Sequence, residues 1–334
     1  MSVFFAKKGV AMQLEDLRVV LKVAECRSIT AAATHLDMQM ATASAAVKRV
    51  EAALGVELFV RTTRHLRLST AGERYLPQCT AALSMLDQAK QTIHNDLDII
   101  SGEIRLAVSS DLGRNIAIPW VDDFMEQYPQ VTLRAHISDS NIDFYRDALD
   151  VALRYGAPAD SNLYGFKICN VPRLLVASPM YLEKHGTPKH PKDLLNHQGL
   201  FYQLQNILND TWHFSYKESG NESGADKSYK IKPKAYCAAN DGDLVRRWCV
   251  AGKGVAIKSS LDISRDLLAG RVVSLMHDYK IPQGELWLIS PSRQSITPTV
   301  RLLRDMFRER TRALLTQLVE QGFVSEDVFE SGDS

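Results

Sequence analysis

The sequence predicts an α/β protein in three parts: a small helical head closed by a hairpin, one long helix, and a larger body of two α/β lobes. Three observations predict it. Apolar residues recur at helical spacing from Leu14 to Leu54 and stop at Gly55. Helical spacing then resumes from Ala71 to Leu97. From Ser101 onward, alternating runs such as Ile104, Leu106 and Val108 interchange with helical segments, the signature of an α/β sheet.

The head comes first. Leu14, Leu17, Val20, Leu21 and Ala24 share one face of a helix. Ser28 is placed to cap a second helix through AAATHL, where consecutive alanines favour helix and let a neighbour approach closely. The spacing predicts a third helix over Met40 to Ala53, with Ala43, Ala46, Val47, Val50 and Leu54 inward and Gly55 as its C-cap. A tight connection between the second and third helices suggests a helix-turn-helix. VELFV, RTTRH and LRLS then read as strand, turn and returning strand, a wing with Arg64 and His65 at its tip and Arg61 and Arg67 at its shoulders. Such side chains suit phosphates or a minor groove; a solvated hairpin beside a protein partner is the other reading. On the third helix, Gln39, Thr42, Ser44 and Lys48 are the candidate base-facing residues, and Arg49 a candidate phosphate contact.

In the long helix, Leu76, Cys79, Leu83, Leu86, Ile93 and Leu97 recur at spacings of three and four, interrupted at Lys90. Such a stripe pairs two chains or packs on its own body. In the body, SGEIRLAV, QVTLRAHIS and DVALRYG read as strands. A helix is expected over Ile116 to Tyr128 and a helix-like segment at NIDFYRDAL. A second lobe begins near PRLLVASP, with strands at Trp212 to Tyr216 and Tyr229 to Ala235 and a protruding loop at SYKESGNESGADKSYK. The lobes are expected to join near Leu174 and Val273 and to hold a ligand between them. Ser109, Ser110 and Asp111 occupy the first strand-to-helix turn, either as an anion site or as an ordinary helix cap. Arg154 is a candidate partner for a ligand carboxylate, or a salt-bridge partner of Asp150 or Asp111.

Composition narrows the class. The chain has 334 residues, 45% of them apolar, and a formal charge of +1, enough for more than one domain. Residues 1–70 hold ten Lys/Arg against six Asp/Glu, so the basic excess sits in the head. The five cysteines form no CxxC pair, which argues against a disulfide scaffold or a zinc finger. No metal-ligand spacing, GxSxG motif or P-loop is present, so neither a cofactor nor an enzyme is expected. The first eleven residues lack signal-peptide order and are expected to be a loose tail, with Met12 an alternative start. A cytoplasmic location follows as the expectation, with no membrane contact.

With these residues in view, the head resembles the LysR-type bacterial transcriptional regulators. The resemblance rests on LRVVLKVAECRSITAAATHLDM, on VKRVEAALGVELFVRTTRHLRLSTAG, and on the pattern L-G-x-x-L-F-x-R-T-T-R-x-x-x-L-(S/T)-x-A-G across Leu54 to Gly72. It extends to Arg312. It implies a winged helix-turn-helix over 12–70, a dimerising linker helix over 71–98, and a periplasmic-binding-protein-like effector domain over 102–312, followed by a loose tail over 313–334. It further implies double-stranded promoter DNA as partner, assembly as a dimer and tetramer, contact with RNA polymerase, and a small organic or aromatic effector. Carried onto this chain, the DNA contacts are Gln39, Thr42, Ser44, Lys48, Arg64 and Arg67. The effector cleft maps to Ser109, Ser110, Phe201 and the region of Asn240. Ala45 and Ala46 depart from the polar or basic pair frequent in the family, and AIKSS departs from its usual continuation after GKGV. Cys237 is either a small core residue or a redox-sensing thiol, and sensing of redox state or pH through the body is the alternative to a ligand.

Overall fold

The computed structural model describes residues 4–7, 10–61, 66–95, 100–144, 147–158, 160–204, 207–216, 227–293 and 295–329. The chain divides into two compact units, Met1–Lys90 with Tyr145–Ala148 and Gln91–Phe144 with Leu149–Ser334.

In the first unit, β1 (Phe4–Lys7) and β2 (Val10–Met12) form an antiparallel ribbon where a loose tail was expected. Met12 is the reason: its side chain is buried in the head core. Three helices follow, α1 (Leu14–Cys26), α2 (Ile29–His35) and α3 (Met40–Leu54). The Ser28 hydroxyl caps α2, accepting from Ala31 N at 3.2 Å. Ala32, Ala33, Ala43 and Ala46 are buried between the helices, so backbones meet where larger side chains would separate them. Gly55, at φ +71°, takes the left-handed conformation that ends α3.

The wing strands β3 (Phe59–Arg61) and β4 (Leu66–Leu68) pair antiparallel, Val60 opposite Arg67. Arg64 and His65, the expected wing tip, lie outside the described residues. The Glu51 carboxylate accepts from Leu58 N at 2.8 Å and Phe59 N at 3.2 Å, fixing the exit from α3. α4 (Thr70–Asn95) starts against this turn. A Cβ on Gly72 would meet Leu58 O at 2.3 Å, so only glycine permits that approach. Along α4, Leu76, Cys79 and Leu83 are buried and Leu86 is exposed. The side chain of Ile93 and all of Leu97 lie outside the described residues.

Among its described residues, the second unit carries one five-stranded sheet in its first lobe and three smaller sheets in its second. The first contains β5 (Gly102–Val108), β6 (Val131–Ile137), β7 (Val151–Tyr155) and β8 (Tyr164–Val171). Between β5 and β6 runs one continuous helical stretch: α5 (Ser110–Leu112), a π-turn over Gly113–Ala117 and α6 (Ile118–Gln127). The second lobe holds β9 (Arg173–Ala177), α7 (Pro179–His185), β10 (Gln198–Leu204), β11 (Ile207–Leu208), β12 (Trp212–Tyr216) and β13 (Lys227–Ile231). It continues with β14 (Lys234–Ala239), α8 (Gly242–Val250), β15 (Ala256–Ser259), α9 (Ser260–Leu268) and β16 (Val273–Leu275). β17 (Gly284–Ser290) returns to the first sheet, giving the order β6-β5-β7-β17-β8, and α10 (Pro298–Glu320) follows. In the second lobe, β15-β9-β16 and β11-β10-β14 are linked by a parallel bridge from Gly199 to Val255. The chain therefore crosses between lobes at Pro172 and again between Leu275 and Gly284. Leu174 and Val273, expected at the crossings, both sit inside the second lobe's sheet.

Three further expectations are corrected. In NIDFYRDAL the described residues, 141–144 and 147–149, carry turns and no helix: Ala148 at φ +50° is outside helical geometry, while Phe144 and Leu149 are buried beside Ala107, Ala152 and Ile289. The strand over Tyr229 to Ala235 is split, because Pro233 has no N–H for a ladder and falls between β13 and β14. The region 313–334 is no loose tail as far as it is described. α10 buries Leu303, Phe307, Leu315 and Leu318, and beyond it Val324 and Val328 enter the same core.

One ion pair fastens the head. Asp16 of α1, 3% exposed, accepts from Arg49 Nε at 3.1 Å and Nη2 at 2.5 Å and from Gln13 N at 3.1 Å. Burial pushes the Asp16 carboxyl up, but the Arg49 and Gln13 hydrogen bonds and the Arg49 charge outweigh it and hold it below its ordinary value. Its stabilisation is therefore present above the unfolded carboxyl pKa and lost as pH falls through the lower folded one. Asp16→Asn is expected to cost the head about 1–2 kcal/mol at neutral pH, less than a fully buried pair, because the partly exposed Arg49 is screened by solvent. Thermal unfolding at pH 7 and below pH about 4 checks this: the gap to the wild type should close in acid.

Candidate functional site

On the head, the outer side of α3 carries the polar residues singled out in the sequence. Gln39, at the N-cap position, Thr42 and Lys48 are exposed, and Ser44 is half-buried. Arg67 is exposed on β4. Arg49 differs: its guanidinium is engaged by Asp16, which makes it first a clamp between α1 and α3. The helical turn separates it from its neighbour Lys48. Ala46, Val47 and Val50 face the core, so Arg49 lies at the margin of the buried face, while Lys48 points away.

In the second unit, a cleft of about 690 Å³ opens between the two lobes. Ser109, Asp111, Arg154, Tyr202, Trp212 and Lys258 are among the residues that line it. Sequence reasoning placed Ser109, Asp111 and Arg154 here, and missed Lys258, Tyr202, Asp139 and Asp262. Phe201 is not in the cleft. Strand alternation turns it into the second lobe's core, 1% exposed against Trp212, and gives the cleft its neighbours Leu200 and Tyr202. Asn240 is exposed and does not line the cleft either, because the chain reaches it through Gly242 and Val245 at the start of α8. Ser110 is buried just behind the wall. Cys237 on β14 is half-buried against the core, opposite Leu200, and does not line the cleft.

Charge is densest at the cleft floor. Asp111 contacts Lys258 Nζ and lies 3.1 Å from Arg246 Nε. Arg246 also meets Asp243 at 2.8 Å and Asp266 at 2.7 Å, and Lys258 Nζ donates to Gly242 O at 2.9 Å. Burial pushes the Asp111 carboxyl up to about 7, with Lys258 opposing and Asp262 reinforcing the rise. Burial likewise raises Asp262, which accepts from Tyr155 Oη at 2.6 Å. These partners settle the alternatives for Arg154: neither Asp111 nor Asp150 pairs with it, and Asp150 lies by Arg105. Arg154 Nη2 donates to Ser140 O at 2.6 Å. Among the described residues it has no ion-pair partner, and burial lowers its pKa. The Ser109 hydroxyl is buried at the cleft wall without a hydrogen-bond partner among the described residues. Among them, too, no group of acidic, histidine and cysteine side chains is arranged to hold a metal ion, and no helix is long and apolar enough to cross a membrane.

The family models decide the class. Residues 14–73 match the bacterial regulatory helix-turn-helix protein, lysR family, and residues 98–312 match the LysR substrate binding domain. The chain belongs to the LysR family of regulators. LysR-type proteins are DNA-binding regulators of transcription rather than enzymes, with a helix-turn-helix head, a linker helix and a two-lobed effector-binding domain. Similar relatives include the HTH-type transcriptional regulator DmlR of Escherichia coli K12, 28% identical over 89% of this chain and 94% of the relative. CrgA of Neisseria meningitidis serogroup C is 32% identical over 78% of this chain and 84% of the relative. The full-length structure of the Vibrio cholerae virulence activator AphB superposes with a TM-score of 0.57 at 26% identity, covering 89% of this chain and 98% of that one.

The buried charges at the cleft floor make a test of the LysR effector domain. Lys258→Met leaves Asp111 and Asp262 buried without their ammonium, and is expected to cost about 3–5 kcal/mol at neutral pH. Without the cation both carboxyls bind protons more tightly when folded, so stability should recover as pH falls towards 5. Urea titrations at the two pH values measure this, and equal midpoints for variant and wild type at pH 7 would contradict the network.

Proposed function

We propose that this regulator recognises promoter DNA through Gln39, Thr42, Ser44 and Lys48 of α3 and the wing arginines Arg64 and Arg67, and that a small organic acid in the cleft controls it. The observation that carries the ligand reading is the half-buried Arg154, which makes no ion pair among the described residues, feels the charge of Asp139 at longer range, and faces a cleft that also holds a Ser109 hydroxyl without a hydrogen-bond partner among those residues. A buried cation is costly until an anion meets it. A ligand carboxylate at Arg154 offsets that cost, while Tyr202 and Trp212 offer faces for an aromatic or apolar body. The volume suits a small molecule, within the roughly 300–1,000 Å³ of ordinary ligand sites. Self-association through α4 completes the reading, since one winged head makes few phosphate contacts and a dimer doubles them. Exposed Leu86 is the side chain offered to a second copy. Contact with RNA polymerase and a cytoplasmic location accompany it as expectations from the LysR class.

A response to pH is the second reading, favoured by one observation: burial sets the Asp111 carboxyl at about 7. The folded state then binds an extra proton between the ordinary carboxyl value and about 7, so this group's contribution to stability falls as pH rises through that window. A redox response has no comparable support, because Cys169 and Cys249 have thiols that burial pushes up to about 12, and Cys237 lies off the cleft.

Two experiments test the proposal. Arg67→Ala is expected to weaken binding to all DNA sequences alike and to reduce the slope of log K against log salt by about 1. Fluorescence anisotropy over a salt series reads it; an unchanged slope removes Arg67 from the interface. For the ligand, a thermal-shift screen of small aliphatic and aromatic carboxylates should find compounds that raise Tm and alter the DNA footprint. Arg154→Gln should abolish their shift. If no acid shifts Tm while a change of pH alone alters the footprint, the second reading replaces the first.

A further inference from the structure

The end of β6 places one carboxylate at an unusual position. Asp139, 9% exposed, accepts from Ser110 N at 2.7 Å, from the Ser110 hydroxyl, and from Gly242 N at 2.8 Å. Ser110 begins the helical stretch after β5, and Gly242 begins α8 of the second lobe. The Ser110 hydroxyl also accepts from Gly242 N at 2.8 Å, so the three groups form one closed knot across the lobes. Backbone N–H groups at two helix starts, converging with a hydroxyl on one point, are the donor set that holds a bound anion. Here the anion is part of the chain.

We propose that Asp139 determines which ligands the cleft accepts: as a built-in carboxylate it fills the anion position between Ser110 and Gly242, and so directs a ligand's acid group to Arg154. A tethered carboxylate is present at a far higher effective concentration than any free acid, so a ligand does not displace it. Asp139 also faces the cleft, and its charge repels a second anion brought beside it. Arg154 is anchored one residue further on, at Ser140 O; it lines the same cleft and makes no ion pair among the described residues, with the Asp139 charge acting on it only at longer range. The proposal rests on the effector reading of the cleft only in its second half. The occupation of the anion position by Asp139 stands or falls independently.

Chemical rescue tests it on the full-length chain. Asp139→Gly empties the position without removing any donor. Its Tm is expected to fall by several degrees, and sodium formate, but not sodium chloride at equal ionic strength, should restore part of the loss. The wild-type Tm should not respond to formate. Asp139→Asn keeps the volume but loses an acceptor, so its Tm should fall and formate should not restore it. A folded glycine variant indifferent to formate overturns the proposal. If the glycine variant shows no cooperative unfolding, the asparagine variant decides: a wild-type Tm overturns the proposal, and a lowered, formate-insensitive Tm supports it. Rescue of the glycine variant by formate, together with an empty carboxylate screen on the wild type, overturns the direction to Arg154 and the effector reading while leaving Asp139 in the anion position.

Discussion

Five carboxylates among the described residues, those of Asp111, Asp139, Asp243, Asp262 and Asp266, are buried where the two lobes meet, and each must find positive charge or donors there. Removing one such ion from water costs several kcal/mol, about what a domain has to spare. The fold meets this requirement by bringing the partners from different segments. Arg246 of α8 reaches Asp111 from the first lobe and Asp243 and Asp266 from the second. Lys258 of β15 reaches Asp111, and Tyr155 of β7 reaches Asp262. Asn115, inside the π-turn, donates to Asp111 and to Asp243 at 2.9 Å each. The second lobe pairs Asp243 and Asp266 with its own Arg246, Arg247 and Arg271, whereas Asp111 of the first lobe meets its cations, Arg246 and Lys258, only across the cleft, and these pairs hold the lobes together.

The head solves a different problem. Its core is small and almost free of charge, and it relies on alanines at helix contacts and glycine at one close approach. The one buried carboxylate among its described residues, Asp16, is answered across the core by Arg49, and Glu51 is spent on the amides of the turn before the wing. These two side chains of α3 are consumed in positioning. Gln39, Thr42 and Lys48 stay exposed on the outer side of α3, the face proposed above to meet DNA.

How far the sequence announced this depends on the range of the forces involved. Helices of the head were legible because periodicity and capping are local: Ser28, Gly55 and the alanine run each act within one turn or contact. The α/β alternation of the body was legible for the same reason. The cleft was legible only in part. Ser109, Asp111 and Arg154 lie at strand ends, where a ligand site in such a sheet is expected. Phe201 was assigned to the wrong face because β-strand direction reverses at every residue, so a shift of one moves a side chain from cleft to core. Lys258 and Asp262 lie 147 and 151 residues beyond Asp111 in the chain, and no local pattern signals that they meet. The C-terminal segment shows the converse: Val324 and Val328 stand in an acidic, glycine-containing stretch whose composition reads as solvent-exposed, and only the groove beside α10 makes them core residues.

This division of charge also limits how a ligand can act. A ligand shifts an equilibrium only by binding one arrangement of the protein better than another. Had the anion position between Ser110 and Gly242 been empty, an acid entering it would have supplied the link between lobes, and closure would have depended on the ligand. With Asp139 already there, closure of that link needs nothing from outside. On the effector reading proposed above, what remains for a ligand is Arg154, fixed to the first lobe through β7 and Ser140, together with Arg173, Tyr202 and Trp212 of the second lobe. An acid that neutralised Arg154 alone would bind without favouring either arrangement. Only a molecule long enough to hold Arg154 with one end and lie against Tyr202 or Trp212 with the other gains differentially from the lobes' separation. Selectivity in this cleft therefore rests on a ligand's length and apolar body as much as on its charge.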